Sequence, residues 1–133
     1  MIQKVSHIGI AVNSIAEASK LYTDVLGLKI TEIETVPDQK VKIAIIPVGD
    51  TRIELLESTD PDGPIAKHIA SRGEGLHHVA LQVDDIRASL EAMQKKEIPL
   101  IDKTPRIGGG QAQIAFLHPK ATKALIELTQ PAQ

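Results

Sequence analysis

Apolar and polar positions alternate with a period of two over several short stretches, and each alternating stretch runs into one with helical spacing. From Val5 to Val12, Ser6, Ile8, Ile10 and Val12 share one side, while His7, Gly9 and Ala11 share the other, as in a strand with one buried face. A helix follows at once. Asn13 or Ser14 caps it, Ser14 and Glu17 have capping-box spacing, and Ile15, Ala18, Tyr22, Val25 and Leu26 form an apolar stripe that Gly27 ends. Strands are then expected at Leu28 to Val36, Val41 to Pro47 and Thr51 to Glu57, broken by Pro37-Asp38-Gln39 and Gly49-Asp50.

A turn-rich connector, Asp60 to Pro64, precedes a short helix at Ile65 to Ser71 and the segment Arg72-Gly73-Glu74-Gly75. The pattern then restarts. Val79, Leu81 and Val83 take one side of a strand, and His78, Ala80 and Gln82 the other. Asp84 or Asp85 caps a helix with the stripe Ile86, Leu90 and Met93, ending near Glu97-Ile98-Pro99. Further strands are expected at Pro99 to Asp102, Ala112 to Leu117 and Ala124 to Thr129, with a glycine loop at 107–111 and a turn at His118-Pro119-Lys120.

Laying Val83 on Val12 puts His78 on His7, and Ile126-Glu127-Leu128 matches Ile53-Glu54-Leu55. The histidines stand 71 residues apart (7 to 78) and the glutamates 73 apart (54 to 127), a difference that a hairpin loop absorbs. The expected fold is therefore α+β: two tandem βαβββ modules whose sheets form one curved, half-barrel metal-binding cavity with the helices outside. Module one is 1–58, the linker 59–74 and module two 75–133, in a single domain, since half of 133 residues would bury only a marginal core.

Composition narrows the chemistry. A net charge of −2 gives no long-range attraction to nucleic acid or anionic membrane, and one Tyr, one Phe and no Trp leave no platform for stacking bases. Without cysteine there are no disulfides and no thiolate metal sites. With no signal-peptide pattern at Met1-Ile2-Gln3-Lys4 and no apolar run of spanning length, the expectation is a cytoplasmic protein.

A lone strand histidine or glutamate is ordinarily a hydrogen-bonded or solvated residue. Four at equivalent positions of a repeat point instead to a metal site: His7, Glu54, His78 and Glu127 offer two imidazoles and two carboxylates. That set suits Co²⁺, Ni²⁺, Zn²⁺ or Mn²⁺ and leaves positions open for substrate. His77 shares parity with Val79 and Leu81 and reads as structural.

The paired modules with His, Glu, His and Glu resemble the vicinal oxygen chelate (glyoxalase-like) superfamily. The stretches Leu76-His77-His78-Val79-Ala80-Leu81, Val83-Asp84-Asp85-Ile86, Phe116-Leu117-His118-Pro119-Lys120 and Leu125-Ile126-Glu127-Leu128-Thr129-Gln130 resemble its methylmalonyl-CoA epimerase branch. The resemblance implies a metal-dependent epimerase, with Co²⁺ as the leading ion. It would interconvert (R)- and (S)-methylmalonyl-CoA by α-proton abstraction through a metal-stabilised enolate, working as a homodimer. It also implies that Glu127 is both ligand and base.

Some members of this family place a second glutamate in the third strand, five residues before its closing proline; counting back from Pro47 gives Lys42. Lys42 either shuttles the second proton or faces solvent, with Glu32, Glu34 and Asp38 as substitutes. Lys103, Arg106, Lys120 and Lys123 are available to coenzyme A phosphates, and the Gly108-Gly109-Gly110 run is either a plain hairpin loop or a substrate-binding one. Competing readings are a lactoylglutathione lyase with the same ligand set and a metal-free binding protein of the same fold.

Overall fold

The computed structural model describes residues 1–132; residue 133, the expected end of module two, lies outside the described residues. The chain is α+β and divides into two compact units, one of His7–His77 and the other of Met1–Ser6 with the chain from His78 onward. The division falls inside the first strand and at the His77-His78 bond, where the sequence reading has its module boundaries at 58 and 75.

In the first unit, β1 (Ile2–Ala11) leads into α1 (Ile15–Lys20), followed by β2 (Glu32–Val36), β3 (Val41–Val48), β4 (Thr51–Ser58) and α2 (Pro64–Arg72). Its strands lie in the order β2-β3-β4-β1, with β1 parallel to β4 and the other pairs antiparallel. Alternation divides β3 and β4 cleanly. Ala44, Ile46 and Leu55 pack with Val12 and Ile15 on the α1 face, whereas Val41, Ile43 and Leu56 pack with Ile65 of α2 on the opposite face.

The second unit repeats the plan with β5 (Gly75–Val83), whose first residues lie in the first unit, α3 (Ile86–Lys95), β6 (Arg106–Ile107), β7 (Gln113–Phe116), α4 (Pro119–Thr122) and β8 (Ile126–Gln130). The order is β5-β8-β7-β6, and β5 is parallel to β8. Val83, Ile86, Leu90, Ala115, Leu117 and Leu128 form its core. The start of β1 joins this unit through Met1, whose ammonium lies 2.9 Å from Asp84, and Gln3, which accepts from Gln82 at 2.9 Å. Among the described residues no helix is long and apolar enough to cross a membrane.

The repeat extends to the helix starts. Ser14 accepts from the Glu17 N–H at 3.2 Å and Asp85 from the Ala88 N–H at 3.0 Å, each capping its helix. The next orphan donor is met from the sheet: Glu57 accepts from the Ile15 N–H at 2.7 Å, and Gln130 from the Ile86 N–H at 2.8 Å.

Three of the expected helices and strands differ. The first helix becomes a π-helical turn at Leu21–Val25, where the Leu26 N–H reaches the Leu21 carbonyl. The wider turn rotates the apolar stripe away from the sheet. Val25 is therefore 72% exposed and Leu26 55%, while Ile15, Ala18 and Tyr22 stay in the core. The strand expected from Leu28 is regular only from Glu32, although Leu28 and Ile30 pack into the core. Pro99 to Asp102 makes a single bridge, Leu100 to Leu117, because the Ile101 and Asp102 N–H groups both turn to the Phe116 carbonyl.

The sheet-to-helix bonds are testable. Gln130→Ala strands the Ile86 N–H at a packed helix start and is expected to cost about 1–2 kcal/mol in urea unfolding, as is Glu57→Ala at Ile15. A change within error of zero in both would remove these bonds from the account of helix docking.

Candidate active site

Parallel pairing sets one histidine and one glutamate on a common face in each unit. In the first, Gly9 is the register partner of Glu54, and His7 lies two residues earlier on β1. In the second, Ala80 is the partner of Glu127, and His78 lies two residues earlier on β5. The small residues Gly9 and Ala80 thus fall opposite the glutamates in both copies. His7 Nδ1 is 3.5 Å from Glu54 Oε2, and His78 Nε2 is 3.3 Å from Glu127 Oε1. All four are buried, at 4–6% exposure, far below what isolated carboxylates tolerate.

The first pair carries a cation that answers this burial. Arg52, two residues before Glu54 on the same face of β4, places its Nε 2.7 Å from Glu54 Oε2 and a terminal nitrogen 3.4 Å from His7 Nδ1. Burial pushes the Glu54 carboxyl up; Arg52 opposes this through its charge and hydrogen bond, and the charge of Glu34 adds to the rise. Burial first and Arg52 second lower His7 to about 3. Its imidazole is therefore neutral near pH 7, the form that ligates metals. In the second pair the Phe116 ring meets the His78 ring edge-on at 5.6 Å between centroids. Phe116 is the cross-strand partner of Glu127.

Each pair offers one imidazole nitrogen and one carboxylate oxygen, buried and without thiolates, and this donor chemistry fits a divalent ion of the Co²⁺, Ni²⁺, Zn²⁺ or Mn²⁺ type. Arg52 engages Oε2 of Glu54, and Oε1 is the other oxygen through which that residue could ligate.

Lys42 is a correction. In the antiparallel register it pairs with Glu57 and Thr35, so alternation puts it on the α1 face, away from Glu54. The residue of β3 that faces with Glu54 at that point is Ile43, opposite Leu56 and Glu34. His77 is on the opposite face of β5 from His78 and packs edge-on against His68 of α2, with centroids 4.8 Å apart. His118 caps α4, accepting from the Lys120 N–H at 3.0 Å, where the sequence pattern gave only a turn.

Of the basic residues offered to phosphates, Arg106 lies on the Glu127 face through Ile114 and Thr129 and sits 5.9 Å over the Phe116 ring. It is also tied to Asp102 at 3.1 Å. Lys103, Lys120 and Lys123 are exposed. Gly108 has a packing role, since a Cβ there would meet the Ile114 side chain at 3.0 Å. Arg52 and Phe116 are the site neighbours that motif reading missed, though both share the parity of the glutamate they serve.

Residues 6–116 match the Glyoxalase/Bleomycin resistance protein/Dioxygenase superfamily. The chain belongs to this superfamily. Among its members, an uncharacterized protein of Bacillus subtilis is 38% identical over 98% of this chain and 94% of its own. The mitochondrial methylmalonyl-CoA epimerase of Mus musculus is 33% identical over 96% of this chain and 72% of its own. A solved methylmalonyl-CoA epimerase in complex with methylmalonyl-CoA and NH4+ superposes with a TM-score of 0.92 at 29% identity, covering 99% of this chain and 96% of that one. The superfamily fold is therefore that of the whole described chain.

The neutral histidines set the response to acid. His77 is lowered to about 4 by burial and then by His68, and His7 to about 3, from an ordinary 6.5. Below pH 6.5 the unfolded chain takes up protons at these two histidines that the folded one refuses, so their contribution to stability falls as pH drops from about 6.5 toward 4 and continues to fall toward 3. In metal-stripped protein, the urea midpoint of His77→Gln is expected to fall less between pH 7 and pH 5 than that of the parent chain. Equal losses would show that His77 takes up its proton over the same pH range in the folded and the unfolded chain.

Proposed function

We propose that this chain is a metal-dependent epimerase interconverting (R)- and (S)-methylmalonyl-CoA, with His7, Glu54, His78 and Glu127 holding one divalent ion. Co²⁺ leads among the candidates, ahead of Ni²⁺, Mn²⁺ and Zn²⁺. The observation that carries this is the pair of buried His–Glu couples at equivalent positions of the repeat, in a chain superposable over its length on an epimerase bound to methylmalonyl-CoA.

The carbon to be inverted lies between a carboxylate and a thioester carbonyl, so loss of its proton pushes negative charge onto those oxygens. A bound divalent ion supplies Lewis-acid stabilisation of that charge, an effect worth several kcal/mol. The chain's own residues do the rest. Glu127 takes the α-proton from one face of the carbon, or returns it there, its carboxylate cycling between the ionised and protonated forms. Arg52 fixes the orientation of Glu54 and offsets the charge of a second buried carboxylate. Inversion needs another acid/base on the opposite face of the carbon. A homodimer is the assembly that the family resemblance implies.

Incubation with either epimer in D₂O is expected to wash deuterium into the α-position, to stop when the protein is stripped with a chelator, and to resume with Co²⁺. His78→Ala and Glu127→Ala are expected to lose bound metal and at least about 100-fold in rate. No exchange with any of the four ions would sink the epimerase reading, and turnover of the methylglyoxal–glutathione hemithioacetal in its place would move the chain to lactoylglutathione lyase.

A further inference from the structure

With Lys42 on the α1 face, the second acid/base has to come from elsewhere, and the register limits where in the first unit it can lie. On the face that Glu54 shares, β3 presents Val41, Ile43, Ile45 and Pro47, none of which titrates. β4 presents Arg52, Glu54, Leu56 and Ser58, and β1 presents His7, Gly9 and Ala11. Only β2 adds carboxylates to this face: Glu32 opposite Ile45, and Glu34 opposite Ile43.

The two differ. Glu32 is exposed, whereas Glu34 is half-buried. On the same short strand Ile33 is 53% exposed, so β2 turns a carboxylate inward and an isoleucine outward, the reverse of what a strand with a purely structural task does. Strands stand about 4.8 Å apart, which puts the β2 backbone about 10 Å from that of β4. Ile43 and Ile45 lie between the carboxylates of Glu34 and Glu54 on this face, Ile43 packed with Ile65 of α2.

We propose that Glu34 is the second acid/base of the epimerase, standing in on β2 for the carboxylate that β3 lacks on this face. The inference rests on the epimerase reading above. In one direction the α-C–H bond breaks, its electron pair passes into the substrate's thioester system, and the proton forms an O–H bond on the Glu34 carboxylate. Glu127, protonated at the outset, then gives its proton to the same carbon on the opposite face. The reverse direction exchanges the two roles, so no other reactant is consumed.

The test compares the parent chain with Glu34→Gln and Glu32→Gln, each with its metal content and urea midpoint measured. Glu34→Gln is expected to keep its metal and its fold, and to lose at least about 100-fold in epimerisation. It should still exchange the α-proton of one epimer for deuterium within about tenfold of the parent, without inversion, because Glu127 works alone on its own face. Glu32→Gln is expected to stay within about threefold of the parent in both assays. If the parent exchanges neither epimer, the epimerase reading itself fails. An active parent with Glu34→Gln epimerising normally, or with a folded, metal-loaded Glu34→Gln exchanging neither epimer, overturns the assignment of Glu34.

Discussion

Two carboxylates buried on strands are the constraint around which this chain is built. Glu54 and Glu127 lie at 6% and 4% exposure, and a buried carboxylate is stable only where something answers its charge. Parallel pairing of β1 with β4, and of β5 with β8, brings a histidine to each, and small residues, Gly9 and Ala80, sit opposite the glutamates in register. The first copy adds Arg52, and the second adds the Phe116 ring against His78. The two copies keep the same donors while surrounding them with different chemistry.

Much of this is written in strand parity. Alternation alone separates His78 from His77, and the structure places the first beside Glu127 and the second against His68. The same parity puts Arg52 with Glu54, because the two stand two residues apart on one strand. Lys42 lies five residues before Pro47, and a count along a strand gives distance but not face. One residue further along β3, Ile43 lies on the Glu54 face and carries no titratable group.

Other features lie beyond the pattern. Ile15, Ala18, Tyr22, Val25 and Leu26 suit an α-helical stripe, and nothing in their spacing announces the wider turn that turns Val25 and Leu26 outward. Pro99 to Asp102 has strand composition, yet its backbone donors converge on a single acceptor, the Phe116 carbonyl, and the ladder does not propagate. Such choices depend on which carbonyl lies within reach, and that is decided only when distant segments meet.

The bonds from Glu57 to the start of α1 and from Gln130 to the start of α3 act as a proofreading device for strand register. Glu54 and Glu57 sit on opposite faces of β4, as Glu127 and Gln130 do on β8. A slip of one residue would turn Glu54 away from His7, take Glu57 from the Ile15 N–H and lift Leu55 out of its apolar cluster, all at once. A misregistered sheet therefore loses its helix anchor in the same step as its buried His–Glu pair, so a chain that has docked its helices has also aligned Glu54 with His7.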